Sequence, residues 1–565
     1  MIVPQIRLQW SDIYPAVDMV SVQECLAQIS GETLINFVGF LSTKIENDFL
    51  GLFTNQEVQD YYNKQVAEFM AKANLRTVPA LISREGKLKI AELILSNKEV
   101  LFNNQVGKED RTDTDELNMF KTFLIVNQEI NDKYKPVNDE VETSIDKITD
   151  LVITTSFSTS DFTQEETDTP AFAKLLYSTI VKFEYIIEFL KMENNNYLGD
   201  GLCDYFKVSD LDGLTYQFKH LCAVLLDLKS KNGFIIQEID KDKRRFLSSL
   251  TGEVEEISDY TSLRNFPLYE IDENSYGVVD FFMVLDKFVL STKFILKKVF
   301  DTKNELKPNS SEFFSVFNKI YSEDVLMNGV LNEIFNKKYF IKKDTNEIKD
   351  NEPDYYIRHN NRVFLFENKD TLVRGDIKSS FDIDLIDKTL KKKFLNDGRD
   401  VGIGQLVNTI VRIVNNSFEF DDYVNTRFNL KIYPILLVHN RAFMTDGLNY
   451  KLNQWYRNLV KVKLGKGYDE RYIKDLCIID IDTLIYWKPY LKANDVNFRK
   501  VLDKHLKIMD RSLNIMANRY SQNEILLKIN KNFSDRLTPM SDRLNDYQLP
   551  IELVLSKFEG VLDEV

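Results

Sequence analysis

Residues 352–370 read EPDYYIRHNNRVFLFENKD, and this stretch decides which fold the sequence predicts. Two runs rich in apolar residues flank an Asn-Asn pair, which favours a tight turn, so the segment predicts a β-hairpin. Three ionisable side chains, Asp354, Glu367 and Lys369, interrupt these strands. A solvent-facing hairpin edge would explain them without any function, whereas a metal site would require them to converge.

The hairpin would bring these three side chains together at one end. Side chains alternate between the two faces of a strand, so Glu367 and Lys369 point to the same face. Asp354 lies 13 residues before Glu367, on the partner strand. Neighbouring carboxylates repel each other, and a hard divalent cation such as Mg²⁺ removes that penalty. A nearby lysine can orient or deprotonate a water or stabilise charge on phosphorus, so the set predicts metal-assisted phosphodiester hydrolysis.

The surrounding sequence predicts a mixed α/β domain. Continuous apolar runs are typical of strands that are buried on both faces, and two such runs follow the hairpin. The predicted elements are a helix at 318–340, the hairpin, a polar lysine-rich span to about 400, a helix at 402–416, a strand at 431–440, a helix at about 446–463 and a strand at 474–487. Their order, α-β-β-α-β-α-β, predicts one domain at 316–490.

The motif in this hairpin resembles that of a known enzyme family. A Pro-Asp pair at 353–354, an apolar strand and the triplet Glu-Asn-Lys at 367–369 look like the PD-(D/E)xK nuclease superfamily, which has the restriction-endonuclease-like fold. The flanking helices and the two buried strands fit the same fold. The resemblance covers about residues 316–485 and says little about the remainder of the chain.

The resemblance implies a metal-dependent endonuclease and a role for each site residue. Asp354 and Glu367 would hold Mg²⁺, for which Mn²⁺ can substitute, and Lys369 would position or activate the water. Many members take a further carboxylate from the helix before the hairpin and a glutamine from the helix after the motif. Glu323 and Gln405 are the residues expected in those two places.

Two glutamates of the preceding helix are candidates for the helix carboxylate. Glu323 shares a helical face with Met327, Val330 and Ile334, so it would lie at the end of a buried stripe. Glu333 is the alternative, and the sequence does not decide between the two.

The rest of the chain predicts mainly helices. With 565 residues it is too long for one ordinary core. Apolar residues at three- and four-residue spacing predict a helical domain at 1–135 and a helical domain with a β-hairpin at 136–315. A Ser-, Thr- and acid-rich stretch at 156–170 predicts a linker or exposed loop, and a helical segment is expected at 491–565. The expected fold class is α+β and multidomain: a mainly helical N-terminal half, a mixed α/β restriction-endonuclease-like domain and C-terminal helices.

Charge is distributed unevenly along the chain. Residues 301–565 contain 42 Lys and Arg against 39 Asp and Glu, a balance of +3, while residues 1–300 contain 31 against 48, a balance of −17. We therefore expect any nucleic acid to bind at the C-terminal half. The family resemblance implies that this nucleic acid is double-stranded DNA in preference to RNA. Basic residues between 374 and 393 could contact phosphates or simply form a solvated face. The acidic half could form a homo-oligomer or bind a partner protein.

Other classes of protein lack their sequence signatures here. No membrane span or secretory signal is visible, so a cytoplasmic location is expected. Four cysteines and four histidines are scattered, which argues against zinc sites and disulfides, and the cysteines are expected to be buried. No Gly-rich phosphate loop is present. The Asp-Ile-Asp at 480–482 faintly resembles haloacid-dehalogenase phosphatases and is interpreted as a strand end in a solvated loop.

Three functional hypotheses follow from the sequence. The first is an Mg²⁺-dependent nuclease that acts, by analogy with the family alone, in restriction or antiviral defence, with an N-terminal region for sensing or assembly. The second is a type II-like restriction endonuclease that recognises a specific site. The third is a non-catalytic binding or scaffold protein with a nuclease-like domain. The first hypothesis predicts unspecific cleavage, and the second predicts sequence-defined fragments. The third predicts no metal-dependent cleavage.

Overall fold

A computed structural model describes most of the chain. The described residues are 7–43, 52–75, 78–105, 112–138, 145–157, 169–257, 259–307, 310–335, 340–343, 353–426, 429–465, 469–492, 495–510, 534–544 and 549–561. They form a mainly helical α+β protein with two small sheets.

Helices account for most of the described residues. In chain order they are α1 (Trp10–Ile13), α2 (Val22–Leu26), α3 (Gly31–Thr43), α4 (Gln56–Ala73), α5 (Arg84–Ser96), α6 (Lys98–Leu101), α7 (Thr112–Asn138), α8 (Ile145–Ser156), α9 (Thr169–Leu190), α10 (Asn196–Phe206), α11 (Leu211–Ser230), α12 (Lys241–Leu247), α13 (Thr261–Asn265), α14 (Phe281–Asp286), α15 (Thr292–Lys303), α16 (Glu312–Phe317), α17 (Asn328–Ile334), α18 (Gly375–Lys378), α19 (Ile383–Phe394), α20 (Ile403–Val414), α21 (Leu448–Leu464), α22 (Ile481–Leu491), α23 (Asp495–Met509) and α24 (Ile551–Leu555). π-helical turns at Lys287–Ser291 and Asn318–Met327 join α14 to α15 and α16 to α17. Among the helices that the structure describes, none is both long and apolar enough to cross a membrane.

The described strands form two sheets. They are β1 (Ile235–Gln237), β2 (Leu268–Asp272), β3 (Ser275–Val278), β4 (Phe340–Lys343), β5 (Tyr355–His359), β6 (Arg362–Lys369), β7 (Lys431–Val438) and β8 (Cys477–Asp480). The first sheet is antiparallel with the order β1-β3-β2. The second has the order β4-β5-β6-β7-β8, in which β4, β5 and β6 are antiparallel neighbours and β6, β7 and β8 are parallel neighbours.

The chain divides into two compact units, which we name by their sheets. The five-stranded unit contains Glu140–Thr163 and Ser311–Ile551, and the three-stranded unit contains Val3–Asp139, Gln164–Ser310 and Glu552–Val565. This division groups the residues differently from the four predicted domains, because the chain passes between the two units more than once.

The hairpin predicted at 352–370 is present as β5 and β6. Tyr355 pairs with Phe366, and His359 pairs with Arg362, which leaves a two-residue turn. Asn360 in that turn has a left-handed backbone (φ 54°), a conformation that asparagine tolerates better than most residues. His359 ends β5 and is half-buried, so it lies before the turn.

The core of the five-stranded unit forms around β6 and β7. Every residue of β7 after Lys431 is buried, which confirms the prediction of a strand covered on both faces. On one face of β6, Val363 and Leu365 pack in a single cluster with apolar residues of α19, α20 and α21. Glu367 and Lys369 continue the same alternation, so this face of the strand directs them toward α20.

Three segments of this unit differ from the sequence prediction. The lysine-rich span before residue 400 contains α19, which buries Ile386, Leu390 and Phe394 at four-residue spacing. The strand predicted at 474–487 ends at Asp480, after which α22 begins. The predicted order α-β-β-α-β-α-β also omitted β4. The high lysine content of α19 made its apolar spacing hard to recognise in the sequence. The short strand β8 is followed directly by α22, so the two together appear as one continuous apolar run.

The three-stranded unit combines helices with a small sheet. The hairpin predicted within residues 136–315 is confirmed as β2 and β3, to which β1 adds a third strand that was not predicted. The predicted linker at 156–170 lies largely outside the described residues. All four cysteines of the chain are buried with free thiols, as expected.

Candidate active site

The ends of β5 and β6 bring three of the predicted site residues together. Asp354 lies just before β5, and its Oδ2 accepts a hydrogen bond from the backbone N–H of Asn368 at 2.7 Å. Two residues apart on β6, Lys369 donates from Nζ to Glu367 Oε1 at 2.8 Å. The antiparallel pairing of β5 with β6 therefore holds all three charged groups at one end of the hairpin.

Glu367 is a buried carboxylate that the protein satisfies only in part. Its side chain is 1% exposed, and Oε2 has no hydrogen-bond partner. Burial raises the pKa of this carboxyl to about 8; the negative charges of Asp354 and Glu323 raise it as well, while Lys369 partly offsets the increase. A buried carboxylate of this kind gains from any further cation that reaches its free oxygen.

Lys369 is the charged partner within the site. Burial alone would lower its pKa, but the carboxylates of Glu367, Asp354 and Glu323 raise the pKa above its usual value. The ammonium therefore remains protonated at neutral pH. In addition to Glu367, it donates to Gln405 Oε1 at 3.3 Å.

Gln405 is held in place by the start of its own helix. Its Oε1 accepts a hydrogen bond from the backbone N–H of Gly402 at 2.8 Å, so one amide oxygen binds both the helix terminus and Lys369. Gly402 has a φ of 52°, and a Cβ there would lie 2.9 Å from the Phe394 carbonyl oxygen and 3.2 Å from Lys369 Cε. Glycine is required at this position because both the backbone conformation and the approach of Lys369 exclude a side chain.

Glu323 contributes a third carboxylate, from the π-helical turn before α17. Its Oε2 accepts a hydrogen bond from Lys319 Nζ at 3.2 Å. Burial and the charge of Asp354 raise the pKa of Glu323 to about 7, and Lys369 acts in the opposite direction. The structure thus places Glu323 within electrostatic reach of the hairpin residues.

Glu333, the alternative helix carboxylate, is placed elsewhere. Its Oε2 forms an ion pair with Lys488 Nζ of α22 at 2.8 Å, and its side chain is 45% exposed. The sequence analysis assumed regular α-helical spacing through this segment. The π-helical turn changes which residues share a face, so that spacing could not show which of the two glutamates lies near the hairpin. π-helical turns occur frequently at functional sites.

The sequence interpretation missed the contacts that attach this turn to the sheet. Ser322 Oγ donates to Asp370 Oδ2 at 2.6 Å, and Asn318 Nδ2 donates to the Asp370 carbonyl oxygen at 3.2 Å. Asp370 directly follows Lys369, so these bonds fix Glu323 relative to the end of β6. The only signal in the sequence was the position of Asp370 immediately after the motif.

A second missed contact lies between β6 and the end of β7. His439 Nε2 is 2.7 Å from the side-chain oxygen of Asn368, which is 4% exposed. The His439 backbone N–H also donates to the Lys369 carbonyl oxygen at 3.4 Å, which extends the pairing of the two strands. These bonds stabilise the backbone segment that carries Glu367 and Lys369.

The Asp-Ile-Asp at 480–482 is not the solvated loop that the sequence predicted. Asp480 is 4% exposed and begins α22, where its Oδ1 accepts a hydrogen bond from the Thr483 backbone N–H at 2.8 Å. Asp482 is 1% exposed and binds Arg441 Nε at 2.9 Å. Arg441 is therefore paired with Asp482, and both aspartates have structural roles.

Most of the basic residues between 374 and 393 have partners within the protein. The contacts are Arg374 with Asp376, Lys391 over the Trp455 ring, Lys392 with Asp397, and Lys393 with Thr371. They reduce the positive charge that is available for phosphate binding. Burial also lowers the pKa of Lys393. Lys388 on α19 is exposed.

The donor set at the hairpin suits a hard cation, although it is small. Within the part of the chain that the structure describes, no group of three or more His, Cys, Asp or Glu side chains is arranged to hold a metal ion. Mg²⁺ needs only one or two protein carboxylates and completes its coordination with water and phosphate oxygens. Asp354 and Glu367 supply two, and the unbonded Oε2 of buried Glu367 is available as a ligand.

The arrangement combines two mutually repelling carboxylates, a protonated lysine and a glutamate that can exchange a proton near pH 7. Groups of this kind can bind a cation, orient a water and stabilise negative charge on a phosphoryl group. Comparison with known proteins found no family model, no curated protein and no solved structure that matches this chain.

Proposed function

We propose that this protein is an Mg²⁺-dependent phosphodiester hydrolase, a nuclease of PD-(D/E)xK type whose substrate is DNA in preference to RNA. The observation that carries the proposal is the state of Glu367: a fully buried carboxylate beside Asp354 with one oxygen unbonded. The ion pair with Lys369 uses only Oε1, so a cation bound at Oε2 would offset the cost of leaving that buried oxygen without a partner.

Each residue of the site has a defined part in this proposal. Asp354 and Glu367 would hold Mg²⁺, which when bound neutralises carboxylate repulsion and acts as a Lewis acid on a phosphoryl oxygen. Lys369 donates hydrogen bonds to the water or to a phosphate oxygen, since its ammonium is protonated. Gln405 fixes the position of Lys369. Glu323, whose pKa is about 7, can accept or release a proton at neutral pH.

The nature of the substrate rests on charge and on the family resemblance. Residues 301–565 have a balance of +3, whereas residues 1–300 have a balance of −17, so phosphate repulsion is weaker in the part that contains the site. The preference for DNA and a role in restriction or antiviral defence come from analogy with the family.

The test is cleavage by the full-length protein. Supercoiled DNA, linear DNA and RNA are each incubated with Mg²⁺, Mn²⁺ or EDTA, and the variants Glu367→Gln and Lys369→Ala are compared with wild type. Glu333→Gln is the matched control, because Glu333 is an exposed glutamate paired with Lys488. We expect metal-dependent cleavage that both site variants lose and the control retains. Cleavage that survives Glu367→Gln would disprove the assignment of the site.

A non-catalytic binding protein is the second candidate, and one contact favours it. Lys369 already occupies Glu367 Oε1, so the protein itself neutralises part of the charge that a metal would balance. Calorimetric titration with Mg²⁺ and Mn²⁺ separates the two candidates. Binding that disappears in Glu367→Gln supports the nuclease, whereas no binding in wild type together with no cleavage supports a scaffold. Discrete, sequence-defined fragments would indicate a type II-like restriction enzyme.

A further inference from the structure

A large cavity lies within the three-stranded unit and is lined only by residues of that unit. Its volume is about 920 Å³, which is within the range of pockets that hold drug-sized organic molecules. Residues of α3 and α7 line it, together with the segment just before α4, the segment just after α6, Phe234 next to β1 and Ile271 of β2. None of the residues of the candidate active site belongs to this lining, so the cavity needs an explanation of its own.

The walls of the cavity are rich in aromatic rings. The lining includes six phenylalanines: Phe37, Phe40, Phe53, Phe102, Phe123 and Phe234. Phe37 and Phe123 pack edge to face with their ring centroids 5.9 Å apart, so the wall between α3 and α7 is ordered by contacts of its own. Aromatic rings bury the apolar surface of a ligand favourably, and their negative faces attract cationic groups.

Close packing between α3 and the sheet shapes one side of the cavity. A Cβ on Gly39 would lie 2.0 Å from the Phe234 ring, so glycine is what lets this ring pack against the helix. Tyr269 on β2 donates from its hydroxyl to the Ile35 carbonyl oxygen at 2.5 Å and accepts from the Gly39 N–H at 3.1 Å. These contacts give the cavity a preformed wall.

Two adjacent carboxylates of α7, Asp115 and Glu116, also line the cavity and are largely buried. Asp115 Oδ2 accepts hydrogen bonds from the hydroxyls of Ser30 and Thr33 at 3.0 and 2.7 Å. Glu116 accepts from two backbone N–H groups just before α4 at 2.8 and 3.0 Å. All of these donors are neutral, and no Lys, Arg or His among the described residues forms an ion pair with either carboxylate.

The remaining charge can be estimated from these contacts. Asp115 and Glu116 accept hydrogen bonds at the starts of α3 and α4, and a helix terminus supplies only about half a positive charge. The two carboxylates therefore leave about one negative charge uncompensated by the described residues. Glu32, an exposed residue of the lining, adds a charge that the solvent partly screens. Because none of the described residues that line the cavity is basic, we expect phosphates and carboxylates to be repelled.

We propose that this cavity binds an organic cation with an aromatic body, of the arylalkylamine class. The phenylalanine rings would enclose the aromatic part, and Asp115, Glu116 and Glu32 would attract the ammonium group. This binding function belongs to the three-stranded unit and does not depend on nuclease activity at the hairpin.

The test uses three naphthalene probes that differ in charge but hardly in size. The full-length protein is titrated calorimetrically at pH 7 with 2-(1-naphthyl)ethylamine, 2-(1-naphthyl)ethanol and 1-naphthaleneacetate, the anion of 1-naphthaleneacetic acid. We expect the amine to bind at least about tenfold more tightly than the alcohol, and the acetate to bind most weakly. Equal affinities, tighter binding of the acetate, or no binding of the amine at millimolar concentration would each overturn the proposal.

Variants locate the binding and separate its two causes. Met119→Trp fills the cavity from α7 and is expected to abolish binding of the amine and the alcohol, while Val462→Trp, at an 81% exposed position of the other unit, has no effect. Asp115→Asn keeps an acceptor for Ser30 and Thr33 and is expected to weaken only the amine. Glu116→Gln is the second charge variant if Asp115→Asn does not fold. Amine affinity that neither charge variant lowers would refute the electrostatic part, and binding unchanged in Met119→Trp would refute the location.

Discussion

Glu367 illustrates how much a single buried side chain constrains the interpretation of this protein. An unsatisfied buried polar atom costs about 1–3 kcal/mol, and a cation bound at the site would offset that cost. Here the unbonded Oε2 lies on a carboxylate that Asp354 also destabilises. The cost is consistent with a site prepared for a cation, and it leads to a measurable dependence of stability on pH.

The first prediction concerns the stability of the metal-free protein. The pKa of Glu367 is raised to about 8 in the folded state, so the folded state binds its proton more tightly than the unfolded state. This stabilisation is fully present below the unfolded pKa of about 4.3 and is lost as pH rises toward 8. Glu367→Gln resembles the protonated carboxyl, and we expect it to be at least about 1 kcal/mol more stable than wild type at pH 8 and similar at pH 5.

Urea unfolding in EDTA at pH 5 and pH 8 measures this difference. Glu333→Gln serves as the control and should show no such pH dependence, because Glu333 is exposed. A Glu367→Gln variant less stable than wild type at pH 8 would mean that the ion pair with Lys369 outweighs the burial cost.

At the scale of secondary structure, the sequence predicted the hairpin but not the turn that completes the site. Alternating apolar residues and an Asn-Asn pair are local signals, and β5 and β6 follow them. The π-helical turn at Asn318–Met327 has no such signal, because it depends on contacts between Ser322 and Asp370 across the fold. For the same reason the sequence could not choose between Glu323 and Glu333.

The second prediction tests whether that turn positions Glu323. Ser322→Ala removes the hydrogen bond to Asp370 and is expected to slow metal-dependent cleavage about ten- to a hundredfold, since small displacements of reacting groups are costly. Mg²⁺ affinity should stay unchanged, because Asp354 and Glu367 are untouched. Ser315→Ala, at an exposed position of α16, is the control. Loss of metal affinity in Ser322→Ala would show that the turn supports the hairpin itself.

The third prediction concerns the edge strand β8. Asn449 of α21 acts as a substitute for a neighbouring strand: its Nδ2 donates to the Leu476 carbonyl oxygen at 2.9 Å, and its Oδ1 accepts from the Ile478 N–H at 3.1 Å. Asn449→Leu leaves both backbone groups without these bonds, so we expect the free energy of unfolding to fall by about 3 kcal/mol. Asn458→Leu, on the exposed face of the same helix, should change it by less than about 0.5 kcal/mol in urea unfolding.

For the whole molecule, the sequence predicted a mainly helical α+β protein, and the structure agrees at that level. It did not predict the two units, because pattern analysis follows the chain in order and the chain passes between the units more than once. The uneven charge of the sequence is largely retained in the two units: the three-stranded unit is strongly acidic, and the five-stranded unit is close to neutral. It implies that a polyanion should bind through the five-stranded unit and not through the acidic three-stranded unit.

The last prediction tests that implication with two lysines. Lys388 of α19 is exposed in the five-stranded unit, and Lys241 of α12 is exposed in the three-stranded unit. Lys388→Glu is expected to weaken binding of a labelled DNA duplex in EDTA and, if it removes one phosphate contact, to lower the slope of log affinity against log salt by about 1. Fluorescence anisotropy over a series of salt concentrations measures both quantities.

Lys241→Glu changes the net charge of the chain by the same amount and is therefore the matched control for Lys388→Glu. Since long-range repulsion by net charge would affect both variants alike, only a local phosphate contact can separate them. Equal weakening in the two variants would show that total charge, and not a surface near the hairpin, limits DNA binding. A selective loss in Lys388→Glu would place the DNA on the face that carries α19, beside the helix that supplies Gln405.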